Sequence, residues 1–129
     1  MNSMCIAVNL DRLTWLLQLS AVADRVIELN VSSEASIRNM ALEVKDAPID
    51  LLINNAGVYF SNRDSFDQVT SEDMHTVFSV NAIGPLLVAR ALLPNLRQTS
   101  QPKVVNISSK MGSIDDNTSG GSYSYRGKF

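Results

Sequence analysis

Two amides, a methyl group and a glycine end an apolar run near the middle of the chain, where the sequence reads NNAG from Asn54 to Gly57. The residues before them, IDLLI, have the apolar character of a strand. The amides of Asn54 and Asn55 can tie neighbouring strand ends together or hold a ligand, because an amide both donates and accepts hydrogen bonds. Ala56 and Gly57 leave the backbone bare enough for a flat group to approach. The alternative is an ordinary turn, since many strands end in Asn and Gly.

A second candidate for chemistry is Asn81, which lies in a helical stretch that reads SVNAIGP. Pro85 follows it by four residues and has no backbone N–H. The carbonyl of Asn81 therefore lacks the donor that it would normally meet in a helix. We expect this carbonyl to be free to bind water. The alternative is that Asn81 is simply a polar residue that the helix tolerates.

Apolar runs alternate with helical spacing along the chain, and this alternation predicts the order of the elements. The runs typical of strands are Cys5–Val8, Arg25–Val31, Ile49–Asn55 and Lys103–Ser108, and the helical segments are Leu10–Val22, Ser33–Lys45 and Thr70–Leu93. Ser33 is a candidate cap for the second helix, and Thr70 with Asp73 resembles a capping box at the third. Such alternation is typical of βαβ units, so we expect an α/β fold with a doubly wound parallel sheet. Ligands of these sheets bind beyond the carboxyl ends of the strands, where NNAG would lie.

The composition argues against several classes of partner. The 129 residues are 45% hydrophobic and 19% charged, a balance typical of one globular domain. With 11 basic and 13 acidic residues the net charge is −2, so we expect neither a nucleic-acid partner nor binding to a membrane. Cys5 is the only cysteine, no apolar run approaches the ~18 residues of a membrane span, and Gln18 interrupts the stretch that most resembles a signal peptide. We therefore expect a cytoplasmic protein.

Four motifs, taken in order, resemble the short-chain dehydrogenase/reductase family. They are NNAG after a strand, NAIGP inside a long helix, NISS at a strand end, and YSYR near the last residue. The stretches INNAGVY, NAIGPLLVARALLPNL and ISSKMGSIDDNTSGGSYSYR look most like the C-factor and carbonyl-reductase-like branch. The resemblance runs from about Cys5 to Arg126. It implies a Rossmann-like sheet, NAD or NADP as cofactor, and the reduction of a small carbonyl compound or the oxidation of an alcohol.

The resemblance also implies a role for each matching residue. Ser109 would hydrogen-bond the substrate carbonyl oxygen, and Tyr125 would donate a proton to that oxygen while the nicotinamide delivers a hydride. Asn81 would hold a water molecule in the proton relay, and Lys128 is the candidate for the lysine that assists the tyrosine. The residues that would contact the cofactor are Asn30, Val31, Asn55, Ala56 and Gly57. Taken singly, Ser109 could instead cap a strand end and Tyr125 could be a loop aromatic.

The sequence departs from the family pattern at three places. Its first glycine is Gly57, so no glycine-rich loop for the cofactor pyrophosphate precedes NNAG. Asn30 stands where the family usually has an aspartate. Lys128 follows Tyr125 by three residues, where the family spacing is four. We therefore expect residues 1–129 to form a partial Rossmann-like domain, without the first strand and its glycine-rich loop and without the C-terminal third.

These departures divide the functional expectations. A sheet without its central first strand would keep unpaired strand edges. We expect the chain as given to bind cofactor weakly and not to turn over. The alternative to an active oxidoreductase is a catalytically inactive scaffold of the same ancestry, with a role in signalling or protein interaction. Family members often associate through the helix that contains Asn81, so a homo-oligomer through residues 70–93 is a further expectation.

Overall fold

A computed structural model describes residues 4–8 as backbone, and residues 23, 25–60, 65–118 and 120–127. The strands are β1 (Met4–Val8), β2 (Arg25–Leu29), β3 (Leu51–Asn54) and β4 (Lys103–Asn106). The helices are α1 (Glu34–Val44), α2 (Ser71–Phe78), α3 (Gly84–Ala91), α4 (Leu93–Leu96) and α5 (Tyr123–Arg126). The expected helix over Leu10–Val22 and the candidate lysine Lys128 lie outside the described residues.

The described strands form two parallel pairs. Strand β1 pairs with β2, Met4 lying opposite Arg25, and β3 pairs with β4, Leu51 lying opposite Lys103. The parallel pairing is confirmed, and so is the incomplete sheet, because the two pairs do not join among the described strands. One apolar core nevertheless spans both pairs. It contains Ile27 and Leu29 of β2, Leu52 of β3, and residues of α1, α3 and α4.

Strand β2 ends two residues earlier than the sequence predicts. Arg25–Val31 is apolar enough for a strand throughout, but Oδ1 of Asn30 accepts a hydrogen bond from the backbone N–H of Ser32 at 3.0 Å and turns the chain. The N–H of Ser33 closes this turn on the carbonyl of Asn30 at 3.1 Å. Val31 is buried as a turn residue instead of a strand residue. Strands β3 and β4 are likewise shorter than predicted, at Leu51–Asn54 and Lys103–Asn106.

Both predicted helix caps are present. The hydroxyl of Ser33 accepts a hydrogen bond from the N–H of Ser36 at the start of α1. At the start of α2, Thr70 and Asp73 exchange side-chain to backbone bonds at 3.1 and 3.2 Å, which is a complete capping box. These bonds satisfy N–H groups that a helix start leaves without an internal partner.

The predicted single helix over Thr70–Leu93 is wrong in its interior. Helix α2 passes into a π-helical turn over Ser79–Ile83 before α3 begins, and the chain leaves helical geometry at Leu92. The N–H of Gly84 bonds to the carbonyl of Ser79, five residues back. Pro85, which has no N–H to offer in this region, lies in the first turn of α3. A wide turn of this kind is often found at functional sites.

The turn from α1 to β3 is held by a buried amide, that of Asn95, which is 4% exposed. Its Nδ2 donates to the carbonyls of Lys45 at 2.6 Å and Ala47 at 2.9 Å. The carbonyl of Asn95 accepts from the N–H of Ile49 at 3.3 Å. One residue thus fixes the position from which β3 starts, through its side chain and its backbone carbonyl.

Replacing Asn95 with alanine is expected to lower the free energy of unfolding by about 2 kcal/mol, because the carbonyls of Lys45 and Ala47 would both lose the donor that this buried side chain supplies. Urea unfolding followed by circular dichroism measures the loss. Asn39→Ala, at an exposed position of α1, is the matched control and should change stability by less than about 0.5 kcal/mol. Equal effects of the two substitutions would contradict the role assigned to Asn95.

Within the part of the chain that the structure describes, no helix is long and apolar enough to cross a membrane. The same residues contain no group of three or more His, Cys, Asp or Glu side chains placed to hold a metal ion.

Candidate functional site

The amide of Asn54 ties two strand ends and a helix together. Its Nδ2 donates to Oδ1 of Asn106, at the end of β4, at 2.8 Å. It also approaches the carbonyl of Pro85 in α3 at 3.4 Å. Of the two roles that the sequence left open for the amides of NNAG, Asn54 therefore has the structural one. The backbone after it, Asn55–Gly57, is left to form a wall at the carboxyl end of β3.

The side chain of Asn81 holds the loop that follows NNAG. Its Oδ1 accepts from the N–H of Val58 at 2.8 Å, and its Nδ2 donates to the carbonyl of the same residue at 2.9 Å. These two bonds fix the path of the loop, because they occupy both backbone polar groups of one residue. The side chain of Asn81 is thus structural, and the water-binding role of its carbonyl stays a prediction.

Five predicted site residues meet at one small cleft of about 250 Å³. These five residues are Asn55, Ala56, Gly57, Asn81 and Tyr125. They come from three parts of the fold, namely the end of β3, the π-helical turn and α5. Val58, Tyr59, Ile107 and Ser108 complete the described lining, which contains no lysine, arginine or histidine. The cleft therefore offers amide and phenol groups beside an apolar wall.

A larger cleft of about 590 Å³ adjoins the smaller one at the NNAG loop. Its lining includes all five residues predicted to contact the cofactor, Asn30, Val31, Asn55, Ala56 and Gly57. The two clefts share the wall formed by residues 55–58. Because the ends of β2 and β3 both open into the larger cleft, it lies at the carboxyl edge, as expected for a parallel sheet.

Ser109 lies beside the smaller cleft, one residue away from its wall. The hydroxyl of Ser109 accepts a hydrogen bond from the N–H of Met111 at 3.2 Å and caps the 3₁₀ turn Lys110–Gly112. The described lining contains Ser108 instead. Ser109 thus caps this turn and not the end of β4, which is Asn106, and contact between Ser109 and a substrate stays a prediction.

The contacts of Tyr59, which lines the smaller cleft, and of Arg126, the neighbour of Tyr125 in α5, were not predicted from the sequence. The ring of Tyr59 packs edge-on against the ring of Tyr125, with 5.1 Å between the ring centroids. Arg126 donates from Nε to the carbonyl of Gly121 at 3.2 Å and from Nη1 to that of Met111 at 3.4 Å. The only feature of the sequence that could have indicated them is their position, because Tyr59 follows the NNAG motif and Arg126 follows Tyr125.

A family model described as short chain dehydrogenase matches residues 2–125. The C-signal protein of Myxococcus xanthus is 44% identical over 90 residues, which cover 70% of this chain and 54% of that protein. The 1-hydroxy-2-glutathionyl-2-methyl-3-butene dehydrogenase of a Rhodococcus strain is 35% identical over 103 residues, covering 76% of this chain and 42% of its own. The chain thus spans about half the length of the curated relatives it matches.

Solved structures show the same likeness. The NADPH-bound carbonyl reductase from chicken fatty liver has a TM-score of 0.80 and 32% identity, and the match covers 98% of this chain and 57% of that one. The carbonyl reductase Sniffer of D. melanogaster has a TM-score of 0.81 at 23% identity, covering 98% of this chain and 58% of its own, and supports the fold alone.

Proposed function

The chain belongs to the short-chain dehydrogenase family, and on that premise we propose that its smaller cleft is the carbonyl-binding part of an NAD(P)-dependent oxidoreductase site. Such a site reduces a small carbonyl compound or oxidises the corresponding alcohol. The observation that carries the proposal is the meeting of Asn81, Tyr125 and the backbone Asn55–Gly57 at one cleft, although up to 70 residues of sequence separate them. The likeness to the carbonyl reductase from chicken fatty liver, at 32% identity, supports the substrate class.

Three residues at or beside the smaller cleft have a part in the proposed reaction. Tyr125 donates its phenol proton to the substrate oxygen in the reducing direction and takes it back in the other. Ser109 donates a hydrogen bond to the same oxygen, which requires its hydroxyl to turn from the cap of the 3₁₀ turn toward the cleft. Asn81 keeps the loop after NNAG in place through Val58 and offers its carbonyl to a water molecule. NAD(P)H, when bound, supplies the hydride.

The larger cleft fits part of a dinucleotide cofactor. Its volume and its five predicted contact residues suit the ring systems at the two ends of the molecule, and the backbone at Ala56 and Gly57 is open to a flat group. A Cβ added to Gly57 would meet Oδ1 of Asn81 no closer than 3.6 Å. The pyrophosphate has no glycine-rich loop among the residues that precede Gly57. We therefore propose that the cofactor binds in the larger cleft, but weakly.

Titration with NADPH, followed by amide NMR signals, tests this placement. We expect shifts at Asn30–Ser32 and at Asn55–Val58. The dissociation constant should be in the millimolar range or weaker, which corresponds to a binding free energy of roughly −4 kcal/mol or one closer to zero. Gly57→Ala is the matched variant, because a methyl group there has room in the fold but stands where the cofactor ring would approach. Weaker shifts in that variant would support the proposal. Shifts confined to other surfaces, or none at tens of millimolar cofactor, would contradict it.

A second candidate function, as an interaction or signalling protein, has two observations in its favour. One is the 44% identity to a protein named C-signal. The other is an outer helix stripe, which we define as Phe78, Ile83 and Leu86, with 48%, 40% and 68% of their surface exposed. Apolar side chains grouped on an outer surface are typical of interaction sites.

We also propose a cytoplasmic location, for which the single cysteine of the sequence is the support.

Association through the outer helix stripe is expected to be measurable. Sedimentation velocity should show a species larger than the 14.1 kDa monomer whose population grows with protein concentration. Leu86→Glu should shift the population toward monomer, because a charge would have to be buried in the interface. Leu42→Glu, at an exposed leucine of α1, is the control. A wild-type chain that is monomeric at all concentrations would refute self-association through this stripe.

A further inference from the structure

We propose that Tyr59 is a positioning residue for Tyr125. The two rings meet edge to face, at 5.1 Å between centroids and 68° between ring planes. This geometry is favourable for aromatic pairs, because the positive edge of one ring faces the negative face of the other. Both side chains line the smaller cleft. The ring of Tyr59 thus restricts where the ring of Tyr125 can lie.

Tyr59 can act in this way because it is held at both ends. Its backbone follows Val58, whose two polar backbone groups are bonded to the side chain of Asn81. Its hydroxyl lies 3.0 Å from Oγ of Ser122 and is hydrogen-bonded to it. A ring that is anchored at its backbone and at its hydroxyl has little freedom to rotate away, although 47% of its surface is exposed.

Ser122 connects this contact to the start of α5. It is the residue before Tyr123 and has a left-handed backbone, with φ 54° and ψ 36°. Gly120 and Gly121 before it also have positive φ, of 67° and 76°. For glycine the left-handed region is no strain, but for serine it is unfavourable. The bond to Tyr59 therefore stabilises the conformation from which α5, and with it Tyr125, departs.

The consequence for catalysis rests on the proposed function, in which the Tyr125 hydroxyl transfers the proton. A phenol whose ring can turn freely spends less time at the substrate oxygen, since proton transfer requires hydrogen-bond distance. The restriction of the Tyr125 ring itself does not depend on that function. It can be measured without cofactor or substrate, so its failure and the failure of cofactor binding are separate results.

The sequence contains three tyrosines, which makes ring-labelled tyrosine NMR a direct test. Tyr123→Phe and Tyr125→Phe assign the signals by loss. In Tyr59→Ala, the Tyr125 ring signal should move most of the way to its unfolded position, while Tyr59→Phe should retain most of the native shift because the ring remains. The Tyr123 signal is the internal reference, because that ring packs on Phe66 at 6.1 Å and should not move.

A second pair of variants tests the hydrogen bond. Ser122→Ala and Tyr59→Phe remove the same bond, so they should increase the mobility of the Tyr125 ring to the same extent, and the double variant should add nothing further. Ser122→Gly also loses the bond but keeps the backbone without strain, and should be closer to wild type than Ser122→Ala. The proposal would be overturned by an unchanged chemical shift of the Tyr125 ring in Tyr59→Ala, or by an unchanged mobility of that ring in Ser122→Ala. Fully additive effects of Ser122→Ala and Tyr59→Phe would also overturn it.

Discussion

Gly84→Val is expected to lower the free energy of unfolding by about 3 kcal/mol, a large part of the roughly 5–15 kcal/mol that is typical of a folded domain. Gly84 opens α3 at the place where the helix crosses the turn that follows β2. A Cβ there would lie 2.9 Å from the carbonyl oxygen of Val31 and 3.0 Å from its Cβ. The oxygen belongs to the backbone and cannot move aside without shifting the turn. Valine adds two further carbon atoms to this contact.

Gly84→Val is expected to destabilise the fold because the steric clash at Val31 outweighs the gain in helix propensity. In an exposed helix, replacing glycine with another residue stabilises by up to about 1 kcal/mol. Gly57→Ala is the matched control, because its nearest new contact would be at 3.6 Å, an ordinary van der Waals distance. The free energies of unfolding of the two variants, measured with urea, should differ by more than about 2 kcal/mol. A Gly84→Val protein as stable as the wild type would show that α3 and the turn at Val31 are not in contact.

The sequence predicted where elements occur better than where they end. Periodicity and caps are local, so Ser33 and Thr70 marked true helix starts. The end of β2 was missed because Val31 is apolar for a tertiary reason, its contact with Gly84, and not because it continues the strand. Pro85 removes one N–H from the helix, which is a local reason for an irregularity near Asn81. The sequence alone does not determine whether the helix breaks, kinks or widens there.

The candidate site was predictable to the extent that it depends on strand ends. Asn30 follows β2 and NNAG stands at the end of β3, and although these strands belong to two separate parallel pairs, residues at both ends line the larger cleft. Tyr59 and Asn95 were not predictable, because their partners lie 63 and about 50 residues away along the chain. Nothing in the type of either residue distinguishes it from one that faces solvent. Such contacts become visible only when the fold has brought the segments together.

The second large effect is expected in catalysis: the 129-residue polypeptide, purified as it stands, should not oxidise NADH or NADPH above background with a reactive test carbonyl. Loss of a glycine-rich pyrophosphate loop should weaken cofactor affinity by several kcal/mol, and about 4 kcal/mol corresponds to a factor of roughly a thousand. At millimolar cofactor, few molecules would then be occupied. Calorimetry with NADPH should give no saturable heat in this range.

Tyr125 has a deficit of its own, which would limit turnover even at high occupancy. The described lining of its cleft contains no cation that could assist proton transfer. In the sequence, Lys128 follows Tyr125 by three residues, whereas the family spacing is four. On a continuous helix, a side chain three residues on is turned by about 100° from one that is four residues on.

The decisive comparison is between Tyr125→Phe and Tyr123→Phe. Both remove one phenol hydroxyl from the same short helix, but of the two only Tyr125 belongs to the described lining of the cleft. If the wild-type chain is inactive as expected, neither substitution changes the background rate. Turnover by the wild type that survives in Tyr123→Phe and disappears in Tyr125→Phe would contradict the prediction of inactivity. It would at the same time establish Tyr125 as the acid, because a structural effect on α5 would be shared by both variants.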